Sequence, residues 1–164
     1  MARSDKTRIK VAGLVNDSIT DGPGLRLSVF TQGCHHNCPG CHNPQTHDPD
    51  GGYWMTAEEI LKEIERNPLL DGITVTGGEP FLQAERLLPL CREIKRRGYS
   101  LIIYTGYTWE ELEENETFME LAGIADTVID GRYEEKSRSL ALSWRGSANQ
   151  NIIDVAERFT ERQP

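Results

Sequence analysis

Apolar and polar positions fall into short runs of two kinds along this chain. Residues 8–15 and 25–31 read as strands, separated by the turn-rich Asp21-Gly22-Pro23-Gly24. Thr56-Ala57-Glu58-Glu59 is a capping box, and Ile60, Leu61 and Ile64 give the helix after it one apolar face. Residues 72–76 form a β-branched strand ending at Gly77-Gly78. Residues 83–97 read as a helix whose apolar set is Leu87, Leu88, Leu90, Cys91 and Ile94, and Gly98 stops it. Residues 101–105 are a strand, and Thr108-Trp109-Glu110-Glu111 is a second capping box opening a helix. Residues 127–130 are another strand, and residues 140–144 and 152–155 are expected as the last two.

Strands alternating with helices predict a parallel sheet with helices on its outer face. Ligands of such sheets lie at the C-terminal strand ends. Four segments follow strands here: the loop after residue 31, Gly77-Gly78-Glu79-Pro80, Tyr104-Thr105-Gly106-Tyr107, and Asp130-Gly131-Arg132. All four should converge on one rim.

Composition narrows this little. The 164 residues suit one domain, spanning 1–164 with a core at about 8–157. The formal net charge of −8 argues against a nucleic-acid partner, whose phosphates need a basic surface. No apolar run reaches bilayer length, so no membrane partner is expected. The first residues carry no apolar export segment, so a reducing cytoplasmic location is expected.

The chemistry concentrates in TQGCHHNCPGCHNPQTHD, where Cys34, Cys38 and Cys41 are spaced C-x3-C-x2-C. Cys91, the fourth cysteine, sits on an apolar helix face and reads as a small buried hydrophobe. With one of His35, His36 or His42 the triplet could form a Cys3His zinc site in an interaction module. An iron–sulfur cubane held by three cysteines would instead leave one iron with an open coordination position. His35, His36 and His47 otherwise read as loop residues without a ligand role, and Trp54 and Trp144 as packing against the sheet.

The triplet resembles the signature of the radical S-adenosylmethionine superfamily, and Gly77-Gly78-Glu79-Pro80 resembles that family's second signature. The resemblance implies a single-domain α/β fold, a partial (β/α) barrel with a curved, mainly parallel sheet. It implies a 4Fe-4S cluster on Cys34, Cys38 and Cys41, with S-adenosyl-L-methionine on the fourth iron. Reductive cleavage of that cofactor then gives a 5′-deoxyadenosyl radical. The cofactor-binding residues it implies are Gly40, Cys41, His42, Gly77, Gly78, Glu79, Thr105, Asp130 and Arg145. Asp21-Gly22-Pro23-Gly24-Leu25-Arg26 is similar to glycyl-radical-enzyme activases. Residues 104–112 and the tail at 144–155 resemble anaerobic ribonucleotide reductase activating proteins, although Asn151 stands where that tail commonly has a basic residue. The implied partners are the large subunit of that reductase, a glycyl radical protein, and an electron donor such as flavodoxin or ferredoxin. Activation of another glycyl radical enzyme, or chemistry on a nucleotide-like substrate, are the rival readings within the superfamily.

Overall fold

A computed structural model describes residues 8–161. The expected domain limits at 1–7 and 162–164 lie outside the described residues. The strands are β1 (Arg8–Ser18), β2 (Arg26–Thr31), β3 (Tyr53–Thr56), β4 (Gly72–Gly77), β5 (Ser100–Tyr104), β6 (Thr127–Asp130) and β7 (Asn151–Asp154). The helices are α1 (Ala57–Glu65), α2 (Ala84–Arg96), α3 (Trp109–Glu113), α4 (Glu116–Ile124) and α5 (Val155–Thr160). Among the described residues all the strands join one sheet, ordered β3-β1-β2-β4-β5-β6-β7. β2, β4, β5 and β6 are parallel, and β1, β3 and β7 add antiparallel to the edges. β3 and β7 stay apart at the ends of that order, so the barrel is partial, as expected.

The two faces of the sheet follow from strand parity. Leu27, Val29, Ile73, Val75, Leu101, Ile103 and Val128 are buried against Ile60 and Ile64 of α1, Leu87, Leu90 and Ile94 of α2, and Leu121 of α4. Cys91 is fully buried in this layer, where burial pushes its thiol up to about 12. The alternate positions, Arg26, Ser28, Thr74, Ile102 and Tyr104, face the other way. Both expected capping boxes are formed, Thr56 with Glu59 and Thr108 with Glu111.

Arg26 organises the lower end of that second face. Its guanidinium is fully buried and donates to Thr74 Oγ1 (2.8 Å), Ser100 Oγ (2.9 Å), Ile73 O (2.8 Å), Pro23 O (3.1 Å) and Ser100 O (3.2 Å). Burial lowers its pKa, and the charges of Tyr104, Asp126, Asp71 and Asp21 oppose that shift. Thr74 Oγ1 donates to Asp21 O, and the Asp21 carboxylate accepts from Ser18 and Ser28. The 19–25 loop is thereby folded against the inner face as a floor. Gly22 has φ +138, and a Cβ there would lie 2.5 Å from Ile102 Cδ1, so the turn has room only for glycine.

One local reading is corrected. Residues 140–144 form no strand: they run as turns and bends, and an isolated bridge between Arg138 and Ser147 closes the segment into a loop of its own. Leu140 is 94% exposed and Trp144 adopts φ +58. The helix opened by Thr108 is present as α3, and a second, unforeseen helix follows it, because the Asn115 side chain accepts from Thr117 N and Phe118 N and starts α4 afresh. Strand β3 and helix α5 were not foreseen.

We expect Arg26→Lys to lower unfolding free energy by about 2–4 kcal/mol, because one ammonium cannot serve five acceptors. Urea denaturation at constant m-value checks this. An unchanged midpoint would show that the network does not stabilise the sheet.

Candidate active site

The four post-strand segments meet as expected. They line a cavity of about 340 Å³ at the C-terminal ends of the parallel strands, with Thr20 and Asp21 from the floor loop and residues from the 142–150 segment along its side.

The cysteine loop is tied at both ends. Gly33 N donates to Thr46 O (2.6 Å) and Cys34 N to His47 O (3.1 Å), while the Gln32 side chain donates to Gln45 O and Asp48 O. Within it Cys41 N bonds Cys38 O, and the chain reverses through Asn37 (φ +52) and Gly40 (φ +73). Cys34, Cys38 and Cys41 all reach the cavity. Burial pushes the Cys34 thiol up, and Glu79, Cys38 and Cys41 add to this against a hydrogen bond from the His36 backbone.

Gly77 and Gly78 serve a close approach, but of backbone. A Cβ at Gly77 would lie 2.4 Å from Thr31 N, and one at Gly78 2.4 Å from Gly33 O. Gly78 N and Glu79 N bond Thr31 O and Gly33 O at 3.0 and 2.8 Å. These glycines let the start of the cysteine loop lie directly on the end of β4.

Glu79 is 1% exposed, and both its carboxylate oxygens are used. Oε1 accepts from Thr105 Oγ1 (2.7 Å) and Phe81 N (3.1 Å). Oε2 accepts from Gly106 N (2.7 Å) and meets His36 Nε2 (2.7 Å). Thr105 thus lines the cavity with its hydroxyl committed to Glu79. His36, set aside in the sequence as a loop residue, is buried in this cluster. Its place midway between Cys34 and Cys38 was the available signal, but nothing in the sequence gave it a partner.

His42 packs on Tyr133, ring centroids 4.8 Å apart, and both line the cavity. Arg145 lines it too, with Nη1 on Gln150 O (3.2 Å). Arg145 Nε and Tyr133 OH are buried without a hydrogen-bond partner. Trp144 is in this wall rather than packed under the sheet, and Tyr104 OH donates to its carbonyl at 2.6 Å.

Asp130 is not among the residues brought together. Its carboxylate accepts from Trp109 N (2.8 Å) and from the Asn151 side chain (3.0 Å), on the helix side of the sheet. Parity explains this, since residue 130 points the way buried Val128 does. Gly131 takes the place in the cavity wall. The unusual Asn151 is the partner of Asp130.

A family model described as a 4Fe-4S single cluster domain matches residues 20–153. An anaerobic ribonucleoside-triphosphate reductase-activating protein from Haemophilus influenzae is 32% identical over 82% of this chain and 90% of its own length. The chain belongs to this family of activating proteins. Membership makes it an iron–sulfur enzyme of the radical S-adenosylmethionine type, and sets aside the zinc reading. A pyruvate formate-lyase-activating enzyme from Clostridium pasteurianum is 40% identical over 64% of this chain and 47% of its own length. Among solved structures, that of QueE from Escherichia coli has a TM-score of 0.50 at 21% identity, covering 62% of this chain and 54% of that one, a likeness of fold.

The residues of this chain fit the family's cluster. Among the described residues no three His, Cys, Asp or Glu side chains close on a single-ion point. A cubane does not ask for one, because each thiolate binds a different iron. Three thiols facing one space, with unpartnered Arg145 and Tyr133 donors in the same wall, match a cluster with a polar ligand beside it.

We expect iodoacetamide at pH 8 to label Cys34, Cys38 and Cys41 in the native apoprotein and to spare Cys91 until denaturant is added. Peptide mass spectrometry reads the sites. Labelling of native Cys91 at the rate of the triplet would contradict its burial.

Proposed function

We propose that this chain generates a glycyl radical on an anaerobic ribonucleoside-triphosphate reductase. The observation that carries the reading is three thiols facing the strand-end cavity while the fourth cysteine is sealed on α2. When bound, the cluster and S-adenosyl-L-methionine would supply the radical chemistry that removes hydrogen from a glycine Cα of the reductase.

Cys34, Cys38 and Cys41 would hold the cluster, and Gly40 gives the loop its turn. Gly77 and Gly78, in the cavity wall, would border the methionine end of the cofactor. Glu79 contributes negative charge toward its ammonium, since its four acceptor positions already have donors. Thr105 keeps Glu79 in place. His42 and Tyr133 offer a ring wall for the adenine. Arg145 would take the methionine carboxylate, an acceptor for its unpartnered Nε. Asp130 serves indirectly, by fixing the start of α3 and the β6–β7 pair. The reductase is the protein partner, a flavodoxin or ferredoxin supplies the electron, and the reaction takes place in an anaerobic cytoplasm. Among the described residues no helix is long and apolar enough to cross a membrane. Coverage favours the reductase over pyruvate formate-lyase, because relatives with the reductase name match nearly end to end.

Anaerobically reconstituted protein with dithionite should convert S-adenosylmethionine to methionine and 5′-deoxyadenosine, and give the reductase a glycyl electron paramagnetic resonance signal. Cys34→Ala should abolish both. Equal turnover by that variant, or no signal on the reductase, would sink the reading.

Arg145→Ala should weaken S-adenosylmethionine binding by about ten- to a hundredfold, the loss of one charge-assisted contact. Equilibrium binding to the reconstituted protein measures it. Normal binding with a lowered glycyl radical yield would move Arg145 to the reductase interface.

A further inference from the structure

We propose that His36 is a positioning residue that docks the cluster-binding loop onto the strand ends through Glu79. The inference rests on reading the cysteine loop as the cluster seat. It concerns how this chain holds that loop.

Glu79 sets the requirement. Its side chain is completely buried, and a buried carboxylate is tolerated only when its acceptor positions are filled. A carboxylate has about four such positions. Phe81 N, Thr105 Oγ1 and Gly106 N fill three of them, and all three donors belong to the segments after β4 and β5. The remaining donor is His36 Nε2 at 2.7 Å, from the middle of the Cys34–Cys38 interval. The bond therefore closes the carboxylate shell and ties the cysteine segment to the sheet.

An independent observation shows that the ring has a fitted seat. A Cβ on Gly106 would lie 2.5 Å from His36 Cδ2 and 2.8 Å from Nε2, so a side chain at 106 would expel the imidazole. Tyr107 meets the same ring edge-on at 4.8 Å, and His35 packs on it at 4.6 Å. The His36 side chain is 2% exposed. The outer contact of this loop, His35 Nε2 with Tyr107 OH at 3.3 Å, is exposed and longer. His36 is thus the buried anchor, and its Nε2 is spent on Glu79. It acts on the cluster through the loop that carries the thiols.

The test compares His36→Ala, His36→Gln and the wild type in two measurements. The first is amide hydrogen exchange at Cys34, Cys41 and Gly106 in the full-length apoprotein. The second is iron and sulfide per chain after anaerobic reconstitution. His36→Ala should speed exchange at these amides by about tenfold, the loss of one buried hydrogen bond, and lower the iron content. His36→Gln keeps an N–H donor able to reach Oε2 and should recover most of both. In a Glu79→Gln background, His36→Ala should add little further change. Wild-type exchange and iron content in His36→Ala would overturn the proposal. If His36→Ala loosens the whole sheet, recovery by His36→Gln supports the proposal and failure to recover overturns it. A wild-type protein that takes up no iron would instead overturn the cluster reading, and the apoprotein exchange would still decide the role of His36.

Discussion

One buried carboxylate holds the catalytic end of this molecule together. Among the described residues no arginine or lysine forms an ion pair with Glu79. Its charge is met by two backbone N–H groups, a hydroxyl and an imidazole, contributed by three separate segments. Desolvating a carboxylate costs several kcal/mol, and charge-assisted hydrogen bonds are the interaction able to offset it. The result is an obligate meeting point. The turn after β4, the end of β5 and the cysteine loop must all be in place for any of them to be stable there. Gly77, Gly78 and Gly106 are small because these segments approach to contact distance.

The opposite end of the same face uses the complementary device. Arg26 is a buried cation whose five bonds to neutral acceptors join β2, β4, β5 and the floor loop. Between the two ends lies the cavity. The helices take no part in it directly; they bury the other face of every parallel strand and so fix the spacing of the strand ends. Stability and function are thus divided by parity along each strand, with apolar residues toward the helices and polar ones toward the site.

Much of this division can be read from the chain. Capping boxes, β-branched runs and the glycine stop at residue 98 place most elements, since each is a local signal. The cysteine spacing and the GGEP segment point to the site for the same reason. What escapes is whatever depends on a neighbour. The alternation at 140–144 looks like a strand, but the bridge between Arg138 and Ser147 closes that segment into a loop of its own. Asp130 ends a strand at the right rim, yet its parity with Val128 turns it to the helices, and that parity was visible in the sequence. His36 was passed over because its importance comes from Glu79, forty-three residues away.

The division of labour that follows is simple. The chain contributes three thiols at one cavity, a buried anchor for the loop that carries them, and a polar wall with unpartnered donors. The redox step belongs to what is bound there. The most direct test is the electron paramagnetic resonance spectrum of the anaerobically reconstituted, dithionite-reduced protein before and after adding S-adenosylmethionine. A cluster held by three thiolates, with its fourth iron open to the cofactor, should give a spectrum whose g-values shift on addition, and Cys91→Ala should give the same shift. A spectrum indifferent to S-adenosylmethionine, or one that is lost with Cys91, would contradict the account.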